Sequence, residues 1–179
     1  LFSNARFEIP MSRWFWLAFL LTVTPAAAAV DIHYAPAEDL EAIDAALIDE
    51  AGTSIDMAAY VLSDARVIEA LGDAADRGVT VRLYLDRGEY ASHAGELSGL
   101  IAKPGVALRI KPSGVLMHLK AYAVDGAKLR TGSGNFSRSG LSRQDNDLIV
   151  IDDAAAVLRF EQDFESIFAQ GAPQSVARD

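Results

Sequence analysis

His118, Lys120 and the run Gly132-Ser133-Gly134-Asn135 are the residues of this sequence whose types and spacing could do chemistry together. If Met117 to Val124 forms a strand, side chains alternate between its faces, so His118, Lys120 and Tyr122 share one and Leu119, Ala121 and Ala123 the other. An imidazole and an ammonium then stand side by side, about 7 Å apart at their backbones. Asp125-Gly126 reads as a hairpin turn, and Lys128 to Thr131 as the returning strand that delivers the glycine-rich run to the same end. Glycines there let the backbone come close to a ligand, while a serine hydroxyl and an asparagine amide offer donors. A neutral imidazole, a fixed cation and two small donors are what a phosphodiester reaction needs: a nucleophile, charge compensation and grips on the non-bridging oxygens.

The elements that must position these groups follow from periodicity. Asp31 to Tyr34 starts a short strand, and Glu38 to Glu50 carries Leu40, Ile43, Ala46 and Leu47 at helical spacing, closed by Gly52. Ser54 to Val61 reads as a strand; Asp64 is a helix N-cap ahead of Val67, Ile68 and Leu71, and Gly78 ends that helix. Val79 to Leu85 and Val106 to Ile110 read as strands flanking a weaker helix, Glu89 to Lys103. Leu148 to Ile151 and the helix Ala154 to Phe168 complete the pattern. The expected fold is α/β: a mixed, mostly parallel sheet flanked by helices on both faces, in a single domain.

His118-x-Lys120, four residues to Asp125 and six more to Gly132-Ser133-x-Asn135 resembles the HxKxxxxDxxxxxxGSxN motif of the phospholipase D superfamily. Six fixed positions, each matched about one time in twenty, coincide at a given start with odds on the order of 10⁻⁸. The likeness extends over roughly residues 30–170, through Ser54 to Tyr60, Ala75 to Arg82 and the closing unit Leu148 to Phe168. The chain has one copy of the motif, as in the small bacterial endonucleases and the mitochondrial Zucchini-type proteins of that superfamily.

The resemblance implies a phospholipase D-like fold and a covalent phosphohistidine. His118 would be the nucleophile in one subunit and the general acid in its partner, so that a two-fold homodimer completes the site. Lys120 and Asn135 would bind phosphate, with Ser133 at the same pocket, and neither a metal nor a cofactor is expected. Asp125 belongs to the motif as a catalytic position, although beside Gly126 it is first expected to make the turn. The endonuclease branch has an acidic residue after the GSxN loop to orient the histidine. Asn146 stands there in this sequence, which leaves the neighbouring Asp147 as the orienting candidate and Asp145 as the other flanking acid. Gly134 is smaller than the residue usual between Ser and Asn, which would loosen the pocket or leave room for a bulkier group.

Other features have plainer readings. His33 and His93 are expected outside the site, and Thr131 to Gly134 lacks the third glycine of a dinucleotide fingerprint, because position 137 is serine. Val115-Leu116-Met117 is read as a run leading into the core, with a lipid-touching lip as the alternative. Lys103 to Arg143 has eight cations (Lys103, Arg109, Lys111, Lys120, Lys128, Arg130, Arg138 and Arg143) against Asp125 alone, a local balance of +7 inside a chain of net charge -9. A basic rim suits nucleic acid or anionic headgroups, about half of these cations being expected to pair with acids nearby. No aromatic ladder accompanies them, so base stacking is not indicated.

The composition bounds the rest. A chain of 179 residues, 51% apolar and 23% charged, suits one globular domain, and the lack of cysteine excludes disulfides, thiolate zinc sites and thiol nucleophiles. Ser12-Arg13, the apolar run Trp14 to Val23 and Ala26 to Ala29 have the layout of a secretory signal, too short to span a bilayer. The expected organisation is therefore residues 1–29 as signal and upstream residues, 30–170 as the domain and 171–179 as a flexible tail, with export to the periplasm or the medium. The first functional expectation is a metal-independent phosphodiesterase, a nonspecific endonuclease on DNA or RNA. A phospholipase D releasing headgroups is the alternative, and a non-catalytic dimer holding nucleic acid or lipid is the third reading.

Overall fold

Among the described residues, five acidic or hydroxyl side chains start five helices, each accepting a hydrogen bond from an amide of the first turn. Asp39 caps α1 (Leu40–Asp49), Asp64 caps α2 (Ala65–Asp76), and Asp86 caps α3 (Arg87–Ile101). Ser137 caps the short α4 (Arg138–Ser142), and Asp153 caps α5 (Ala154–Gln170). The computed structural model describes residues 28–112 and 114–174, so most of the expected signal and the last five residues lie outside the described residues.

Eight strands accompany these helices among the described residues: β1 (Ala29–Ala35), β2 (Ser54–Ala59), β3 (Thr80–Leu85), β4 (Val106–Ile110), β5 (Lys120–Val124), β6 (Lys128–Gly132), β7 (Asn146–Asp152) and β8 (Ala172–Gln174). They form one open sheet in the order β1-β7-β6-β5-β2-β3-β4-β8. The mixed sheet stands as expected, but only β2–β3 and β3–β4 pair in parallel, and the other five pairings are antiparallel. The excess of parallel pairing was inferred from helix–strand alternation, and that alternation stops at β4. Beyond it β5 and β6 are joined by a tight turn, which can only connect antiparallel neighbours.

Strand alternation builds two cores. Ile55, Met57, Tyr122 and Val124 face α1 and α2, where Leu40, Ile48, Val67 and Leu71 are fully buried. Ala121, Ala123 and Leu129 face the other way onto α5 through Val157, while Ala58, Tyr84 and Met117 meet Phe164 and Phe168. Helices therefore cover both faces, and the small alanines of β5 let α5 lie close to the sheet.

Residues 172–174, expected in the tail, instead pair with β4 as the edge strand β8. Arg109 of β4 fastens this end: its guanidinium donates to the carbonyls of Phe168 and Ala169 (3.0 and 3.1 Å) and lies over the Phe168 ring. At the other edge β1 begins at Ala29, next to the expected cleavage point.

Candidate active site

The site forms at one end of the sheet, where β2 stops, β5 starts and β6 runs into its glycine loop. His118 and Leu119 precede β5 instead of belonging to it. They are held extended from both sides: Asp86 accepts from the Met117 amide (3.0 Å), and the Tyr60 amide donates to the Leu119 carbonyl (2.8 Å). Asp86 thus caps α3 with one oxygen and fixes the approach to His118 with the other. Only Met117 of the run Val115-Leu116-Met117 enters the core, while Val115 and Leu116 are 85% and 58% exposed beside His118. The expected descent into the core is corrected accordingly: anchoring one residue of the run leaves the other two on the rim.

His118 is exposed and its imidazole makes no hydrogen bond among the described residues. Lys120 is buried; its ammonium donates to the His118 carbonyl (2.7 Å) and sits 4.9 Å from the centre of the Tyr60 ring. Burial pulls the Lys120 pKa below its ordinary value, and no carboxylate pairs with it among the described residues. A desolvated cation without an anion attracts a phosphate strongly, because neither water nor a carboxylate competes for it.

The loop after β6 turns at Gly132, whose φ of 145° brings the backbone so close to the Asp147 carbonyl that any Cβ would collide with it. Ser133 is fixed twice, its amide donating to Asp147 Oδ1 (2.8 Å) and its hydroxyl to Asn146 Oδ1 (3.0 Å). The hydroxyl also accepts from the Asp147 amide. Donation from Ser133 holds the Asp147 carboxyl below the usual carboxylate range. Within one chain Asp147 therefore orients the loop, and no hydrogen bond joins it to His118. Asn135 follows at the same rim, its Oδ1 buried and without a hydrogen-bond partner. A Cβ at Gly134 would meet the Gly140 carbonyl at 3.4 Å and Asn146 at 3.6 Å, ordinary van der Waals contact, so the space left by the glycine is about that of one methyl group.

Asp125 lies at the far end of β5, away from the other motif residues. It occupies the left-handed region (φ 53°) and its carboxylate accepts from the amides of Gly52, Thr53 and Ser54 and from the Thr53 hydroxyl, all at 2.8 Å. Desolvation is the largest single influence and pushes its pKa up, but the four donors together outweigh it and hold it at about 2. The expected turn role is what the geometry shows, with a clamp onto the loop before β2 added, and a part in catalysis is corrected. Replacing Asp125 with Ala is expected to cost about 1–2 kcal/mol in thermal or urea unfolding, with turnover per folded molecule unchanged. The carboxyl's folded pKa is depressed, so its contribution is complete above about pH 4 and lost as pH falls through about 2. The wild type should lose this increment in acid and the variant should not.

Three functional features were not read from the sequence. Arg130, counted among the rim cations, is fully buried; it forms a bidentate pair with Asp44 (both bonds 2.8 Å) and donates to the Lys120 carbonyl (3.0 Å). The Tyr122 hydroxyl completes the cluster on Asp44 (2.9 Å), and Phe136 lies 4.4 Å from the guanidinium. The available signal was Asp44 itself, one turn after Leu40 and one before Ile48 on a buried stripe. The second is Tyr60, whose ring touches both His118 and Lys120 and whose pKa is raised by Glu89 beside its hydroxyl. The third is Asp86, legible only as a cap.

Four of the eight cations are already engaged: Lys103 with Asp76, Lys128 with Glu50, Arg130 with Asp44 and Arg109 with the end of α5. Lys111, Arg138 and Arg143 form no ion pair among the described residues. His33 pairs with Glu38, and His93 lies between Glu89 and Glu96, outside the site. Among the described residues no three acids or histidines converge as metal ligands, and no helix is long and apolar enough to cross a membrane.

A family described as cardiolipin synthase, PLD-like domain, matches residues 45–168, which include every residue of the motif. The chain belongs to the PLD-like family. This PLD-like domain is 30% identical over 127 residues to the mitochondrial cardiolipin hydrolase of Danio rerio, covering 70% of this chain and 56% of the relative. It is 39% identical over 108 residues to the phospholipase D of Rickettsia bellii (strain RML369-C), covering 60% and 53%. The PLD-like domain thus spans little more than half the length of these curated relatives. Among solved structures it resembles Nuc, a phospholipase D family member from Salmonella typhimurium, with a TM-score of 0.77 and 25% identity over 83% of this chain and 99% of that one. NucT from Helicobacter pylori shares the fold, with a TM-score of 0.74 at 18% identity.

Proposed function

We propose that this PLD-like domain is a metal-independent phosphodiester hydrolase working through a phosphohistidine on His118. The observation that carries this reading is an exposed imidazole beside a buried ammonium that has no counter-ion among the described residues, at the same end of the sheet as the serine–asparagine loop. A His118 ring nitrogen bonds to phosphorus as the ester P–O bond breaks, and the leaving oxygen takes a proton from His118 of a second copy. Water then attacks phosphorus, the N–P bond breaks and the proton returns. Lys120, Ser133 and Asn135 offset the charge on the non-bridging oxygens. One motif per chain requires two chains about a two-fold axis.

Nucleic acid is the first substrate class, supported by resemblance to single-motif endonucleases and by Arg138 and Arg143 beside the loop. A phospholipid is the second, favoured by Val115 and Leu116 exposed next to His118 and by the likeness to a cardiolipin hydrolase and a phospholipase D. Export through residues 11–29 belongs to the same proposal, from the layout of that segment alone.

The test offers the protein, in chelator, single-stranded DNA, RNA and phosphatidylcholine vesicles in parallel, with His118→Ala beside it. Cleavage of DNA or RNA by the wild type only is expected, with a bell-shaped pH–rate profile from two coupled imidazoles. Headgroup release alone selects the second reading, equal product from His118→Ala defeats the catalytic one, and activity lost in chelator defeats metal independence. Light scattering should give a dimer; a fully active monomer would overturn the shared site. N-terminal sequencing of exported protein should begin near Val30.

A further inference from the structure

The sequence gives no reason to place Tyr60 in the site, yet its ring contacts both charged groups there. Its centroid lies 4.6 Å from that of the His118 imidazole, with the planes 54° apart, and 4.9 Å from the Lys120 ammonium. The residue directly follows β2, and its amide holds the Leu119 carbonyl between the two. Backbone and ring therefore act on the His118-x-Lys120 segment from the same side. Among the described residues no hydrogen bond sets the His118 ring, so the orientation of an attacking nitrogen rests on packing. Lys120 has a related need: a cation that must meet a phosphate is weakened by a carboxylate partner, whereas an aromatic face attracts it and leaves its charge unneutralised.

We propose that Tyr60 is a positioning residue for the reaction, its ring setting the attack orientation of His118 and holding Lys120 charged without an anion. This rests on the reading of His118 as nucleophile. The ring provides both contacts, so Tyr60→Phe keeps the function and discards only the hydroxyl beside Glu89. Tyr60→Leu keeps apolar bulk and removes the π face. A nucleophile displaced by about 1 Å costs on the order of 10²-fold in rate, and loss of the face under Lys120 adds to it.

The experiment measures kcat and KM for wild type, Tyr60→Phe and Tyr60→Leu on whichever substrate the wild type cleaves, with His118→Ala as reference. Thermal midpoints and the proton NMR lines of the His118 imidazole are recorded for each. The expected result is a kcat/KM within about threefold of wild type for Phe and a loss of about 30–100-fold for Leu. Most of that loss should be in kcat, with His118 ring lines moved from their wild-type positions and melting within a few degrees of wild type. Undiminished kcat/KM in Tyr60→Leu overturns the proposal. So does equal damage in Phe and Leu, which would place the effect in the hydroxyl, or a loss that parallels a lowered melting point. If His118→Ala is as active as wild type, the reading of the nucleophile fails by itself. The NMR lines still decide the contact, and lines unmoved by Tyr60→Leu refute the positioning.

Discussion

Replacing Arg130 with Met is expected to lower the stability of this PLD-like domain by about 3–5 kcal/mol. The loss is large because it strands Asp44, which is fully buried and accepts from both forks of the guanidinium. Burial already pushes the Asp44 carboxyl up, and without Arg130 only the Tyr122 hydroxyl remains to hold it. A typical domain is stable by about 5–15 kcal/mol in all, so the single variant should unfold at much lower urea. Replacing both partners, as Asp44→Leu with Arg130→Met, removes the stranded charge and should restore much of the loss. A single variant within about 1 kcal/mol of wild type would show that water reaches the pair and that the cluster is not the closed unit described. Because Arg130 also donates to the Lys120 carbonyl, the restored double variant should retain a defect in turnover per folded molecule.

His118→Ala should abolish turnover while leaving the fold intact. The side chain is exposed and makes no hydrogen bond among the described residues, so its removal is expected to change stability by no more than about 0.5 kcal/mol. Loss of a nucleophile costs on the order of 10⁴–10⁶-fold in kcat, leaving only what binding and electrostatics supply. In a shared site the same substitution removes the nucleophile from one copy and the acid from the other. Mixed dimers of wild-type and His118→Ala chains should then be inactive, because each lacks one of the two groups. Co-expression at equal levels, with differently tagged chains separated by affinity, measures this directly. Mixed dimers at half of wild-type activity would mean that each chain works alone.

The candidate reacting groups were legible in the sequence because their spacing is local. The strand turn at Asp125-Gly126 brings His118, Lys120 and Gly132 to Asn135 to one end of the sheet over only eighteen residues. What supports them was hidden because it is distant along the chain. Asp44 meets Arg130 across 86 positions, Tyr60 meets Leu119 from the far side of β2's end, and Asp86 reaches Met117 across 31. Arg130 was counted with the rim cations because a charge count along the chain does not show which of them are buried against a partner. The parallel share of the sheet was overestimated for a similar reason: helix–strand succession describes β2 to β4 and says nothing of how the later strands return.

The clamp made by Asp125 changes how a survey of variants at the six motif positions would be scored. Its four hydrogen bonds join the β5–β6 turn to residues 52–54, so substitutions there would deplete active protein in a warm growth selection much as His118 substitutions do. At low temperature, or with counts normalised to soluble protein, the two positions would separate: Asp125 variants would regain function and His118 variants would not. With His118 as the proposed nucleophile, the motif would have two kinds of letter, one answering to chemistry and one to abundance.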